Sequence, residues 1–102
     1  MTAQFRLTQP AIQDIEEIAD RIAQQSGLEK SENFLSKLEL KLANIVRFPL
    51  IGRKRDEILA NIRSIPLENY LILYLPIDED IEILRVISGY RDLAALFTDL
   101  EE

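Results

Sequence analysis

The segment Phe48-Pro49-Leu50-Ile51-Gly52-Arg53-Lys54-Arg55 separates a helical half of this chain from a half rich in strand-like runs. Pro49 has no backbone donor and Gly52 is conformationally free, so the segment predicts the end of one kind of element and the start of another. Three cations follow the glycine directly. We call residues 48–55 the joint. Its cations indicate either a surface for an anionic partner or a solvated loop after a basic helix end.

Two amphipathic helices are predicted before the joint, over residues 9–25 and 29–47. Their apolar residues recur at intervals of three and four: Ile12, Ile15, Ile18 and Ile22, then Phe34, Leu35, Leu38, Leu42, Ile45 and Val46. Thr8 has the features of an N-cap for the first helix. The connector at residues 26–27 is short, so the helices should form an antiparallel hairpin whose stripes face a common core.

Four strands are predicted, over residues 3–7, 61–67, 70–76 and 81–88. A loop should run from Gly52 to about Ala60. Glu68-Asn69 and Asp78-Glu79-Asp80 are predicted hairpin turns. The run Tyr70-Leu71-Ile72-Leu73-Tyr74-Leu75 is apolar on both sides, which predicts a central strand. The helices should cover one of its faces, and a partner or the C-terminal segment 91–98 the other.

This order predicts a single α+β domain over residues 1–102, with an antiparallel sheet and an N-terminal helical hairpin on one face (β-α-α-β-β-β). A chain of 102 residues is long enough for one modest core. No apolar run approaches the length that spans a bilayer, and the N-terminal residues lack a secretory signal pattern. A cytoplasmic protein without membrane contact is therefore expected.

Composition excludes most ordinary enzyme mechanisms. The chain has no cysteine and no histidine, which removes a thiolate nucleophile, an imidazole base and the usual zinc ligands. The one dense acidic cluster is the predicted turn 78–80, so no metal and no cofactor is expected. A net charge of −6 argues against direct nucleic-acid binding. Residues 47–91 nevertheless carry seven of the twelve cations, so a local basic patch against an acidic partner remains open.

Three sequence islands, in this order and spacing, resemble the RelE/ParE toxin superfamily and its ParE branch in particular. They are Leu7-Thr8-Gln9-Pro10-Ala11 with Asp14-Ile15-Glu16-Glu17-Ile18; the joint with Asp56-Glu57; and Arg63, Tyr70-Leu71-Ile72-Leu73-Tyr74, Ile83-Leu84-Arg85-Val86-Ile87 and Arg91-Asp92-Leu93. The resemblance covers roughly residues 3–97. It implies the toxin of a type II toxin–antitoxin pair. Its partner would be a ParD-like antitoxin, a DNA-binding dimer with a tail that wraps the toxin.

The resemblance leaves three modes of action open. ParE-type members are understood to poison DNA gyrase by binding, whereas RelE-type members cut mRNA in the ribosome. Cleavage would need an acid, a base and cations around the phosphorane. Tyr90 could supply the acid and Asp56 or Glu57 the base, but Ser88 stands where many relatives carry histidine. We therefore expect a gyrase inhibitor with no catalytic residue, ahead of an mRNA endonuclease or a degenerate member that only binds antitoxin.

The candidate target-binding residues are Arg53, Lys54, Arg55, Arg85, Tyr90 and Arg91. A structural role is the alternative for several of them, since Arg85 could pair with Glu82 or Asp92. Arg63 is expected to be structural. Within the joint, Phe48, Leu50 and Ile51 are expected to pack and Gly52 to turn the chain.

The candidate antitoxin-binding residues are Tyr70, Ile72 and Tyr74 on the predicted central strand. A sheet with both helices on one face leaves its other face and its edges for a partner. An acidic amphipathic antitoxin segment could add a strand there or lay a helix in a groove.

Overall fold

The computed structural model describes residues 4–89. The chain forms β1 (Phe5–Leu7), α1 (Gln9–Ser26), α2 (Leu28–Arg47), β2 (Arg53–Lys54), β3 (Arg63–Leu67), β4 (Tyr70–Ile77) and β5 (Asp80–Ser88). The two helices and four of the strands lie where the hydrophobic pattern predicts them, and their ends agree within two residues. β2 falls within the joint, in the stretch from Gly52 to Ala60 that was predicted to be a loop.

The helical hairpin begins and turns at residues suited to those positions. The Thr8 side chain caps α1 by accepting a hydrogen bond from the Ala11 N–H at 3.2 Å. Gly27 ends α1 and precedes α2 with a φ of 98°, a conformation that favours glycine. The buried Ser31 hydroxyl donates to the Ala19 carbonyl oxygen at 2.7 Å and so ties the two helices together.

The sheet has the strand order β1-β5-β4-β3-β2. β2 to β5 pair antiparallel, whereas β1 runs parallel to β5 with Phe5 opposite Ile81. The predicted α+β class is confirmed, and the sheet is mixed rather than purely antiparallel. The connection through both helices leads from β1 to β2 at the opposite edge of the sheet, and three antiparallel reversals then bring β5 beside β1 in the same direction.

The core has two parts, one on each face of β4. Ile72 and Tyr74 pack with α2 residues such as Phe34, Leu38, Leu42 and Ile45. Leu73, between them on the strand, belongs to a separate cluster with Ile58, Ile62 and Ile87. Since neighbouring residues of a strand point to opposite faces, the prediction that β4 is buried on both sides is confirmed. Within residues 4–89, no helix is long and apolar enough to cross a membrane.

Candidate functional site

The joint is held to the sheet by Tyr74, a fully buried side chain on β4. Its hydroxyl donates to the Pro49 carbonyl oxygen at 2.8 Å and accepts from the Gly52 N–H at 2.9 Å. Burial raises the pKa of the Tyr74 phenol, while the Gly52 hydrogen bond and the charge of Arg63 oppose the rise. The phenol therefore stays protonated, as its bond to Pro49 requires.

Gly52 is required because the neighbouring groups leave no room for a side chain. A Cβ atom at this position would lie 2.6 Å from the Tyr74 hydroxyl oxygen and 2.9 Å from the Ser64 carbonyl oxygen. Gly52 was expected to turn the chain. In the structure, close approach of the joint to β3 and β4 is the constraint that selects glycine.

Two arginines at the joint are engaged by the protein itself. Arg63 on β3 donates through Nη1 to the carbonyl oxygens of Leu50 at 3.1 Å and Gly52 at 2.8 Å. Arg55 donates through Nε to the Ser64 hydroxyl at 2.8 Å, and its Nη1 lies 3.5 Å from a Glu57 carboxylate oxygen. The two hydrogen bonds of Arg63 to the backbone of the joint give it the structural role that was expected. Arg55, a candidate target-binding residue, is also largely occupied by structural contacts.

Arg53 and Lys54 are the exposed cations of the joint. They form β2, the edge strand of the sheet, opposite Ser64 and Arg63. Lys54 Nζ lies 3.7 Å from an Asp56 carboxylate oxygen, and both side chains are mostly exposed, so this pair contributes little stability. The side chain of Arg53 has no hydrogen bond or ion pair with any of residues 4–89. Both cations are therefore available to a partner.

The apolar residues of the joint are exposed, so the expectation that Phe48, Leu50 and Ile51 pack into the core is wrong. Leu50 has 68% of its surface exposed, and the other two about half. The physical reason is that the backbone of the joint faces the sheet: its carbonyls and the Gly52 N–H bind Tyr74 and Arg63. The side chains consequently project outward.

Arg85 pairs across the fold with Asp14 of α1. Its Nε lies 2.7 Å from Asp14 Oδ2 and its Nη2 lies 3.0 Å from Oδ1. The same Oδ2 accepts the Val86 backbone N–H at 3.0 Å. Glu82 and Asp92 were the partners considered for Arg85 from the sequence, and Asp92 lies outside the described residues. Because the pair is mostly buried, Arg85 has a structural role that competes with its candidacy as a target contact.

The structure corrects two of the three candidate antitoxin-binding residues. Ile72 and Tyr74 have no exposed surface and pack in the core beneath the helices, so neither can contact a partner in this fold. Tyr70 is half-buried, packs edge-to-face against Phe34 with ring centroids 5.4 Å apart, and accepts a hydrogen bond from Arg21. The error is one of strand parity, because residues 70, 72 and 74 point to the helical side.

The residues considered for acid–base catalysis do not form a catalytic site within residues 4–89. Tyr90 and Arg91 lie outside residues 4–89. The carboxylates considered as bases are engaged, since Asp56 accepts the Asn61 N–H at 3.2 Å and Glu57 lies beside Arg55. Within residues 4–89, no group of three or more acidic side chains is placed to hold a metal ion.

Two residues that the structure makes important, one exposed and one mostly buried, were not singled out from the sequence. Leu40 is 72% exposed on α2, and its position away from the stripe of Leu38 and Leu42 was the available signal. Asp14 lies on the polar face of α1, and nothing in the local sequence indicates that it reaches β5.

Two comparisons of the sequence with known proteins find similar toxins. A family model described as the ParE toxin of the type II toxin–antitoxin system parDE matches residues 5–93. Toxin ParE3 of Caulobacter vibrioides is 26% identical over 88 residues, which cover 86% of this chain and 88% of that protein.

Solved structures of similar fold come from toxin–antitoxin systems. A chain of the chromosomal ParDE system of P. aeruginosa matches with a TM-score of 0.73 and 19% identity, covering 85% of this chain and 96% of that one. A chain of the RelBE2 complex of Mycobacterium tuberculosis has a TM-score of 0.60 and 26% identity, with 86% and 99% covered. A chain of the E. coli RelBE complex has a TM-score of 0.60 and 18% identity, with 87% and 99% covered.

Proposed function

The chain belongs to the ParE toxin family of type II toxin–antitoxin systems, and we propose that it acts in the cytoplasm by binding and poisoning DNA gyrase. A ParD-like antitoxin would neutralise it. The choice of gyrase rests on the resemblance to ParE-type members. The solved ParDE system of similar fold supports the choice of antitoxin.

The observation that supports binding over RNA cleavage is that three arginines are already bound to groups of the protein itself. Arg55, Arg63 and Arg85 each direct their guanidinium groups to protein acceptors. A ribonuclease of this fold would need such cations free to stabilise charge on a pentacoordinate phosphorus. A protein that inhibits by contact needs only an exposed surface, which Arg53, Lys54 and the apolar side chains of the joint provide.

The exposed joint is also the kind of surface that an inhibitory partner can cover. Apolar side chains at the centre of an interface supply most of its affinity, and surrounding charges steer and orient the partner. An antitoxin that occupied this surface would block access to Arg53 and Lys54 at the same time. Neutralisation would then require no change in the toxin's fold.

A gyrase cleavage assay tests the proposal. The purified chain is added to host gyrase, ATP and supercoiled plasmid, and the reaction is stopped with detergent and protease. Linear DNA should accumulate with toxin concentration, because a poison traps the enzyme with both strands cut. An equimolar amount of the protein encoded by the adjacent reading frame should abolish the linear product. A reaction without gyrase is the control.

A parallel assay with translating ribosomes and a defined mRNA separates the alternatives. Cut mRNA without linear DNA would overturn the proposal in favour of a RelE-like endonuclease. Neither product, with antitoxin binding retained, would overturn it in favour of a degenerate member that keeps only its antitoxin surface.

A further inference from the structure

Positive charge is concentrated in one continuous part of the chain, the second half of α2 and the joint. Residues 37–55 carry six cations and a single anion, Glu39, for a net charge of +5. The other 83 residues carry six cations and seventeen anions. A surface of this sign on a protein of net charge −6 favours a negatively charged partner.

The same part of the chain exposes large apolar side chains. Seven such side chains are exposed among the described residues, and four of them lie here: Leu40, Phe48, Leu50 and Ile51. Isolated exposed leucines need no explanation, but apolar side chains grouped and bordered by charge mark interaction sites.

These side chains line two neighbouring depressions. The first, of about 420 Å³, is bounded by Lys37, Leu40, Lys41, Asn44 and Leu67. The second, of about 590 Å³, is formed by residues 47–51. Asn44 and Phe48 are one helical turn apart, so the depressions follow one another along the same side of α2. We call this surface, residues 37–51 with Leu67, the α2–joint groove.

We infer that the α2–joint groove is the docking site for an acidic amphipathic segment of the antitoxin, an inference that rests on the proposed function. Apolar side chains of the segment enter the two depressions, and its carboxylates meet Lys37, Lys41 and Arg47 along the groove and Arg53 and Lys54 at its end. Charge complementarity selects this occupant, because the groove together with Arg53 and Lys54 at its end carries five cations and one anion on a protein of net charge −6. A nucleic-acid strand would leave Leu40 and Leu50 without apolar partners.

The geometry also separates the contributions of the two kinds of residue. Leu50 and Leu40 project from the surface, so a partner that buries them gains affinity through slower dissociation. The cations border the depressions and are at least partly exposed. Lys37 already forms an exposed ion pair with Glu68 at 2.7 Å, which a carboxylate of the partner would replace. The cations therefore chiefly accelerate association and make it dependent on salt.

Binding of the full-length protein encoded by the adjacent reading frame tests the inference. Leu50→Glu should weaken its binding to the toxin by roughly 100-fold, because the change places a carboxylate in an apolar depression within reach of an acidic partner. Leu28→Glu is the matched control, since Leu28 is equally exposed at the other end of α2. It should bind like wild type. Circular dichroism of both variants verifies folding, as neither side chain is in the core.

A second variant addresses the charges independently. Lys37→Glu with Lys41→Glu should slow association at least tenfold at low salt and much less at 0.5 M salt, where charges are screened. Lys30→Glu, near the start of α2, should leave the association rate within about twofold, the scale of a single remote surface charge.

The outcomes distinguish this inference from the proposed function. If the wild-type chain does not bind its adjacent partner, the proposed antitoxin fails. If wild type binds and Leu50→Glu binds equally well, the groove assignment alone is overturned. The assignment is also overturned if Leu50→Glu loses gyrase cleavage but keeps antitoxin affinity, which would give the groove to the target. It is overturned likewise if sedimentation shows a self-associated toxin that Leu50→Glu makes monomeric.

Discussion

Asp14 of α1 and Arg85 of β5, which lie 71 residues apart in sequence, form a two-point ion pair with distances of 2.7 and 3.0 Å. β1 ends at Leu7 and covers only the first part of β5. Beyond it, the Thr8 hydroxyl donates to the Leu84 carbonyl oxygen, and Asp14 accepts the Val86 N–H. Side chains at the start of α1 therefore form hydrogen bonds with the backbone groups of β5 that β1, which ends at Leu7, does not reach.

Replacement of Asp14 by alanine is expected to lower the free energy of unfolding by about 3 kcal/mol, because it leaves the mostly buried Arg85 without its carboxylate. Asp14→Asn should cost less, since its side-chain oxygen can still accept the Val86 N–H. Urea unfolding measures both. Glu17→Ala on the exposed side of α1 is the control and should change stability by less than about 0.5 kcal/mol. Equal costs for Asp14→Ala and Glu17→Ala would contradict the role of the pair.

Gly52→Ala is expected to destabilise the protein by about 1–3 kcal/mol through overpacking against Tyr74 and Ser64. The added cost should be smaller in a Tyr74→Phe background, because the closest of the three clashing atoms is the hydroxyl oxygen. A double-mutant cycle by urea unfolding measures this coupling. Gly27→Ala is the comparison, since that site has open space and only its φ of 98° opposes a side chain. Strict additivity of Gly52→Ala and Tyr74→Phe would argue against the contact.

The buried phenol of Tyr74 predicts a loss of stability in alkali. Its pKa is raised in the folded protein, chiefly by burial. The neutral phenol therefore contributes its full stabilisation below the pKa of an unfolded tyrosine, about 10, and this contribution falls as pH rises through the folded pKa. Stability measured from pH 7 to 11 should show that Tyr74→Phe is costly at neutral pH and progressively less costly above pH 10. A cost that does not change with pH would refute the prediction.

Arg63→Met is expected to loosen the joint without unfolding the domain. It removes two charged hydrogen bonds, to the carbonyl oxygens of Leu50 and Gly52. Trypsin cleavage after residues 53–55 under native conditions should then accelerate by roughly tenfold or more, because local opening of the joint becomes easier. Arg21→Met, which removes one hydrogen bond to Tyr70 away from the joint, serves as the control. Unchanged cleavage rates in the Arg63 variant would show that other contacts hold the joint.

The elements were predictable because their signals are local. Apolar residues at intervals of three and four indicate helices, and β-branched and aromatic runs indicate strands. β2 was missed because two residues paired with a neighbouring strand carry no periodicity. The resemblance to the ParE branch was also available from sequence, since it depends on the order and spacing of short islands along the chain.

The candidate site was less predictable because its residues meet only in the folded protein. Arg55 and Arg85 were chosen for their charge, but both are occupied by partners that no local pattern identifies. Phe48 and Leu50 were expected to pack because they are apolar residues at the connection between the helices and the sheet. The burial of such residues depends on which way the backbone of the joint faces.

By itself, the sequence determined the two helices, the three-strand meander, the break at Pro49 and Gly52, and the family. Only the tertiary structure decided that Tyr74 leaves no room for a side chain at Gly52, that Arg85 binds Asp14, and that Leu50 lies at the surface. The physical reason is that periodicity and turn chemistry act over a few residues, whereas the face to which a side chain points depends on strand register and long-range hydrogen bonds.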